Sequence, residues 1–154
     1  MKLRPYLPDD LPALAQLYRD TIHAVARKDY TQVQVDAWAP EQIDLGRWRE
    51  KLSNEEVLVA EEAGSIVGFC SWDQTGYLDF LYVHRGHQRQ GVATALYTAA
   101  EQALRAKGLT RLHTQASVTA QPFFVRQGYR VVKHQLVNVR GVELPNAVME
   151  KFVA

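Results

Sequence analysis

One stretch constrains the fold of this chain more than any other: Tyr77 to Lys107, YLDFLYVHRGHQRQGVATALYTAAEQALRAK. It begins as an apolar strand, and from Val92 its small and apolar residues Leu96, Ala100 and Ala103 recur at helical spacing. Between the two lie Arg85, His87, Gln88, Arg89 and Gln90, which offer almost nothing that could pack in a core. A helix N-terminus presents backbone N–H groups without intrahelical acceptors and about half a positive charge, so it is a ready anion site. Gly91 lets the main chain come close to a ligand with no Cβ in the way. Strand, basic loop, small residues and helix in that order predict a grip on a phosphorylated ligand.

Other phosphate-binding patterns do not fit these letters. A P-loop needs Gly-Lys-Ser/Thr at the helix start, where this chain has Gln90-Gly91-Val92. A dinucleotide fingerprint needs three spaced glycines, and this loop has only Gly86 and Gly91. What does match is Gln88-x-x-Gly91-x-Ala93 preceded by Leu81-Tyr82-Val83-His84. This resembles motif A of the GCN5-related N-acetyltransferases (the GNAT superfamily), an Arg/Gln-x-x-Gly-x-Gly/Ala pattern that follows a strand ending in an apolar-x-Val. The placement between a strand and a long helix makes the short pattern specific.

The rest of the chain reads around that segment. Lys2 to Tyr6 predict a strand, and Pro8-Asp9-Asp10 cap a helix whose apolar face is Leu11, Leu14, Ala15, Tyr18 and Ile22. Thr21 to Pro40 lacks a clean period, and Ile43 to Leu52 predict a second helix. The runs Val57–Glu61 and Ile66–Cys70 joined through Ala63-Gly64 predict a hairpin. After the long helix, which Gly108 stops, come a strand at Leu112–Val118, a short helix through Phe123-Phe124, and strands at Tyr129–Leu136 and Val148–Val153. The order β-α-α-β-β-β-α-β-α-β-β has no linker, repeat or low-complexity tract, so a mixed α/β (α+β) single domain over residues 1–154 is expected.

That order is similar to the GNAT one, and a second signature supports it: Ala116-Ser117-Val118-Thr119-Ala120-Gln121-Pro122-Phe123-Phe124-Val125-Arg126-Gln127-Gly128-Tyr129 resembles the family's Asn-x-x-Ala-x-x-Phe-Tyr-x-x-x-Gly-Phe. The segment from Gly141 to Lys151 is similar to a YafP-like bacterial branch of the family. The resemblance implies a central, mostly antiparallel sheet flanked by helices, with two strands splayed at a cofactor site. It implies acetyl-CoA as co-substrate, with no metal. The pyrophosphate would be held by Gln88, Arg89, Gln90, Gly91, Val92, Ala93 and Thr94, and the pantetheine arm by main-chain groups at Leu81 and Val83, with Ser117, Phe124 and Arg126 nearby. The activity implied is direct transfer of an acetyl group to the primary amine of a small molecule or peptide.

Such a transfer requires that the amine lose a proton, that the thioester carbonyl be polarised, and that the departing thiolate find a proton. In the resemblance a carboxylate on the strand before motif A serves as base, and Asp79 is the candidate; an acid inside Tyr77-Leu78-Asp79-Phe80-Leu81-Tyr82 is costly to bury unless it faces a wet cleft. The family's usual acid, a tyrosine, is replaced here by Phe124, so either water protonates a thiolate that is already a fairly good leaving group or Tyr82, Tyr30 or His84 substitutes, Tyr82 being the one carried forward. The segment containing Asp29, Tyr30 and Trp38 occupies the place that covers the acceptor in this family. The missing phenol leaves a non-catalytic acyl-CoA sensor as an alternative, and an acyltransferase for hydroxyl or aryl-amine acceptors is also compatible.

Composition narrows the class further. A net charge of +1 with no basic run outside the 85–89 loop gives a nucleic-acid partner no electrostatic support. No apolar run approaches the roughly 18 residues of a membrane span, and Met1-Lys2-Leu3-Arg4 opens no signal peptide. The single cysteine, Cys70, lies in an apolar run and reads as a buried hydrophobe, consistent with a reducing cytoplasm. His84 and His87 lack a third ligand at any metal-binding spacing. A homodimer is compatible with all of this.

Overall fold

The hairpin at Ala63-Gly64 shows how the sequence builds its sheet. Both residues take left-handed backbone, with φ of 51° and 81°, as the tightest hairpin turns require. They join β2 (Glu56–Glu62) to β3 (Ser65–Trp72), and β1 (Lys2–Pro5) and β4 (Tyr77–Val83) add antiparallel on either side. The computed structural model describes residues 1–154, and in it the sheet continues through β5 (Arg111–Ser117) to the hairpin of β6 (Arg130–Val139) and β7 (Val142–Phe152). The order across the seven strands is β1-β2-β3-β4-β5-β7-β6. Only the β4–β5 pair is parallel.

Helices cover both faces. On one lie α1 (Leu11–Ala24) and α3 (Leu45–Ser53), packed through Leu11, Leu14, Leu17 and Leu52 against Val59, Phe69 and Phe80, and α2 (Gln32–Trp38), whose Val35 packs with Ile22 and Leu144. On the other, α4 (Val92–Ala106) and α5 (Gln121–Arg126) bury Leu96, Tyr97, Leu104 and Phe124 against Val67, Cys70, Leu112 and Met149. Each large apolar side chain removed from water in this way contributes about 1.5–3 kcal/mol. The first turn of α4 sits directly on β3, because a Cβ on Gly68 would come within 3.0 Å of both the Tyr82 carbonyl and Val92 Cγ1. No helix is long and apolar enough to cross a membrane.

Three details depart from the sequence expectation. The segment without a period contains α2, whose start is a capping box: the Thr31 hydroxyl accepts from the Gln34 N–H, and the Gln34 side chain accepts from the Thr31 N–H. The last strand begins at Val142 rather than Val148, and its hairpin turn is Arg140-Gly141, both at positive φ. The third departure is a bulge. Between the pairs Cys70↔Leu81 and Trp72↔Leu78, the single residue Ser71 opposes both Asp79 and Phe80, whose N–H donates to Ser71 Oγ at 3.1 Å. Strict alternation therefore fails in β4. Leu78 packs on the α4 side, Phe80 joins the α1/α3 side, and Asp79 meets Lys51 of α3.

Candidate active site

The bulge and the parallel pair together open the sheet. β4 and β5 pair only at Tyr77↔His113 and Leu78↔Thr114, where the Thr114 hydroxyl donates to the Leu78 carbonyl at 2.8 Å. Beyond that point β4 stays with β3 while β5 is held along its whole length by β7. Two cavities, of about 720 and 550 Å³, meet across the resulting gap, with Trp38, Leu81, Tyr82, Ser117 and Ala120 lining both.

The smaller cavity lies at the head of α4. Gly91 stands at its N-cap with φ 83°, no side chain caps the helix, and the first helical bond runs from the Ala95 N–H to the Gly91 carbonyl. The N–H groups of Val92, Ala93 and Thr94 are therefore left pointing forward without acceptors. A Cβ built on Gly91 would meet nothing within 4 Å, so the space in front of these donors is open. Arg89, also at positive φ (58°), turns the loop into the helix. An array of free main-chain donors facing open space, beside a gap between two strands, fits a long ligand that ends in phosphates.

The strand side of the gap is narrower in its offer. The His84 N–H bonds to the Val67 carbonyl of β3, so by antiparallel alternation Leu81 and Val83 turn their main-chain groups toward the gap. The Val83 carbonyl is already taken, receiving Thr21 Oγ1 at 3.0 Å and Gln88 Nε2 at 2.7 Å. Hence Gln88 braces the loop with the amide that the resemblance assigned to the pyrophosphate, and at Val83 it is the N–H that remains for a ligand. Of the residues expected to hold the cofactor, all line the smaller cavity except Gln90, which is exposed on the loop, and Phe124, which is buried in the wall of the larger one. Ser117 Oγ accepts from the Ala120 N–H and keeps its own proton to donate. His84 Nδ1 accepts from the Gly86 N–H, and no cluster of three metal-ligating side chains forms anywhere in the structure.

The larger cavity has an aromatic wall and an acidic corner. Tyr18 of α1 meets Trp48, Phe80 and Tyr82 edge-on, with ring centroids 4.8, 5.7 and 4.8 Å away. Burial, then neighbouring Tyr18 and Asp79, hold the Tyr82 phenol well above its ordinary value, so it keeps its proton at neutral pH. Asp79, with its side chain only 10% exposed, pairs through Oδ2 with Lys51 Nζ at 3.2 Å, a contact of charges without hydrogen-bond geometry. Glu55, in the turn between α3 and β2, has a buried oxygen without a hydrogen-bond partner and stands against Asp79. Two carboxyls in contact cannot both ionise cheaply. Burial first, then the hydrogen bond and charge of Asp79, push the Glu55 carboxyl up to about 8. At neutral pH Glu55 holds a proton shared with Asp79.

Sequence reasoning did not find Glu55, Lys51 or Tyr18 as members of this corner, since nothing near them in the chain marks them. It placed Asp29, Tyr30 and Trp38 over the acceptor. Trp38 and Tyr30 do line the larger cavity, but the Tyr30 hydroxyl donates to the Pro145 carbonyl and accepts from the Val118 N–H at 2.9 Å. That phenol ties the α1–α2 connection to β7 and to the end of β5, so it has no proton to spare. Asp29 lines neither cavity and accepts from Thr119 Oγ1 at 2.7 Å. Cys70 is fully buried in the α4-side core, and burial pushes its thiol above the ordinary value.

Comparison with known proteins gives the family and the fold. The family model for the acetyltransferase (GNAT) domain matches residues 26–151. The uncharacterized N-acetyltransferase YafP of Escherichia coli is 37% identical over 149 residues, covering 97% of this chain and 94% of that protein. Among solved structures, the GCN5-related N-acetyltransferase (aminotransferase, class-II) from Rhodopseudomonas palustris superposes with a TM-score of 0.95 at 34% identity, covering 99% of this chain and 95% of the other. The acetyltransferase yncA from Salmonella typhimurium, solved with its cofactor acetyl-CoA, shares the fold at a TM-score of 0.71 and 21% identity, covering 100% of this chain and 94% of its own.

Proposed function

The chain belongs to the GCN5-related N-acetyltransferase family, the acetyl-CoA-dependent acetyltransferases, and from that premise we propose that it transfers acetyl directly to the primary amine of a small molecule or peptide. The observation that carries the reading is the Asp79 corner: a largely buried carboxylate, with Lys51 Nζ 3.2 Å from its Oδ2, on the wall of a cavity that opens onto the strand gap. Acetyl-CoA, when bound, supplies an acyl group activated as a thioester. The free N–H groups of Val92, Ala93 and Thr94 are placed for its pyrophosphate, with Arg89 and Arg126 lining the same cavity. The N–H groups of Leu81 and Val83 face the gap, where one of them can polarise a carbonyl.

An amine acceptor arrives mainly as an ammonium, with an unperturbed pKa near 10 if it is lysine-like. The aromatic wall of Tyr18, Trp48, Phe80 and Tyr82 removes water from it and lowers that value. Asp79 Oδ2 is the acceptor for the ammonium proton. Glu55, its carboxyl raised by burial and by Asp79, stands protonated beside it. Tyr82 lines both cavities and retains a phenolic proton, which makes it the candidate to protonate the thiolate in a chain that has Phe124 in place of the usual tyrosine.

The test is release of free CoA, followed with a thiol-reactive dye, across a panel of primary amines, hydroxyl compounds and aryl-amines. The expected result is turnover with primary amines. Turnover confined to hydroxyl or aryl-amine acceptors would replace the amine assignment. Tight acetyl-CoA binding with no release under any acceptor would favour a sensor.

A further inference from the structure

The larger cavity has a second charged feature, at the opposite side from the carboxyl pair. The β6–β7 hairpin runs past the end of β5, packs Leu144 against Val35 of α2, and places Arg140 of its turn on the cavity wall. Arg140 Nη1 donates to the Ala37 carbonyl at 2.7 Å, which fixes the guanidinium beside α2. No carboxylate lies within ion-pairing distance of it, whereas Lys51, the basic group beside Asp79, is paired. Asp44 at the N-cap of α3, and Arg47 and Glu50 within it, also border the cavity; like Arg140 they are exposed residues, but of the cavity's two arginines only Arg140 is anchored by a guanidinium hydrogen bond. Tyr18 stands between the two ends: among the influences on its phenol, which burial pushes up to about 12, the Arg140 charge acts downward and the Asp79 charge upward. The wall between the two charges is aromatic, formed by Tyr18, Trp38 and Tyr82.

A cavity with a free guanidinium at one side, a carboxylate at the other and rings between them is complementary to a zwitterion with an apolar body. Arg is the side chain whose planar fork matches a carboxylate in a two-bond geometry, and with one N–H spent on Ala37 it still has donors to give. We propose that the acetyl acceptor carries a carboxylate as well as its amine, and that Arg140 binds that carboxylate while Asp79 faces the amine. This rests on the amine-acetylation reading and adds the class of acceptor: an amino acid or a short peptide with a free carboxyl end.

The experiment compares kcat/KM for phenylalanine and ε-aminocaproate with that for their carboxamides and for the decarboxylated amines phenethylamine and pentylamine. The two acids differ in the span between amine and carboxylate, so one or the other should fit. In the wild type the better acid should exceed its carboxamide by about 10-fold or more, the scale of a charge-assisted hydrogen-bonded pair. Arg140→Gln should lower the acid-to-carboxamide ratio by about 10- to 100-fold, and Arg140→Lys should keep part of it. If none of the six releases CoA, quenching of tryptophan fluorescence in the presence of coenzyme A reads the same preference as binding. A ratio near one in the wild type, by either measurement, or a ratio that Arg140→Gln leaves in place, overturns the proposal. Failure of the parent reading looks different: it is an absence of CoA release with every amine, whatever the binding preference.

Discussion

Replacing Glu55 by Gln is expected to change how stability responds to pH, with little effect in acid. In the folded chain burial, and then Asp79, hold the Glu55 carboxyl at about 8 against an ordinary 4.5. The folded state therefore binds this proton more tightly than the unfolded state does. Its contribution is complete below about 4.5 and is lost as the pH rises through about 8. That interval sets an upper limit of about 5 kcal/mol. Glu55 is only half-buried and its proton is shared, so screening by water brings the working magnitude to about 2–3 kcal/mol. Gln cannot ionise, yet it still offers Asp79 an N–H donor in place of the carboxyl proton. The assay is urea unfolding of both proteins at about pH 5, 7 and 9, in which the groups that do not touch Glu55 cancel in the difference and the Glu55–Asp79 pair is what remains. The wild type should lose about 2–3 kcal/mol relative to Glu55→Gln between about pH 5 and 9, a gap of roughly 4–12 °C in Tm for a chain of this size. Parallel stability curves for the two proteins would refute the shared proton.

Gly91→Glu should abolish acetyl-CoA binding by calorimetry, because its charge occupies the helix N-terminus; the side chain meets no atom but the left-handed φ of 83° costs about 1–2 kcal/mol, and unchanged affinity in the folded variant would remove the phosphate site from this loop. Asp79→Asn should lower kcat by roughly 100-fold or more with acetyl-CoA affinity nearly intact, and full activity across the pH range would move the base elsewhere. Phe124→Tyr should change turnover little if Tyr82 or water already serves the thiolate; an inactive wild type with an active tyrosine variant would point instead to a sensor that has lost its chemistry. Tyr30→Phe should cost about 1–3 kcal/mol in thermal or urea unfolding, since both the Pro145 carbonyl and the Val118 N–H lose their partner.

The parts of this protein that were legible in the sequence are those whose physics is local. A cofactor grip made of consecutive N–H groups needs only a loop, a glycine and the first turn of one helix, and Gln88 to Thr94 spell that out in order. Even there one assignment turned on a distant group: whether the Gln88 amide faces a ligand or the Val83 carbonyl depends on how the loop folds back on β4. The acceptor side is assembled from α1, α3, the α3–β2 turn, β4 and the β6–β7 hairpin, so no window of the chain contains it. Asp79 could be read as a strand acid, but its direction is set by the extra residue opposite Ser71, and a period of two gives no sign of a bulge. Glu55 becomes its partner only because the β2–β3–β4 meander returns the chain to that turn. Two signals were present and could have been used. Thr31-x-x-Gln34 announces α2, and Arg140-Gly141 between Val137-x-Val139 and Val142-x-Leu144 announces a hairpin; the early start of β7 was hidden by Pro145, which lies beyond the stretch that β5 pairs and so takes no place in the central ladder. Those two elements carry Trp38 and Arg140, the side chains that close the cavity from outside the central sheet. On the proposed reading, specificity for the acceptor is thus written in the least periodic parts of the chain, where few positions are fixed by the core and side chains are free to change with the substrate.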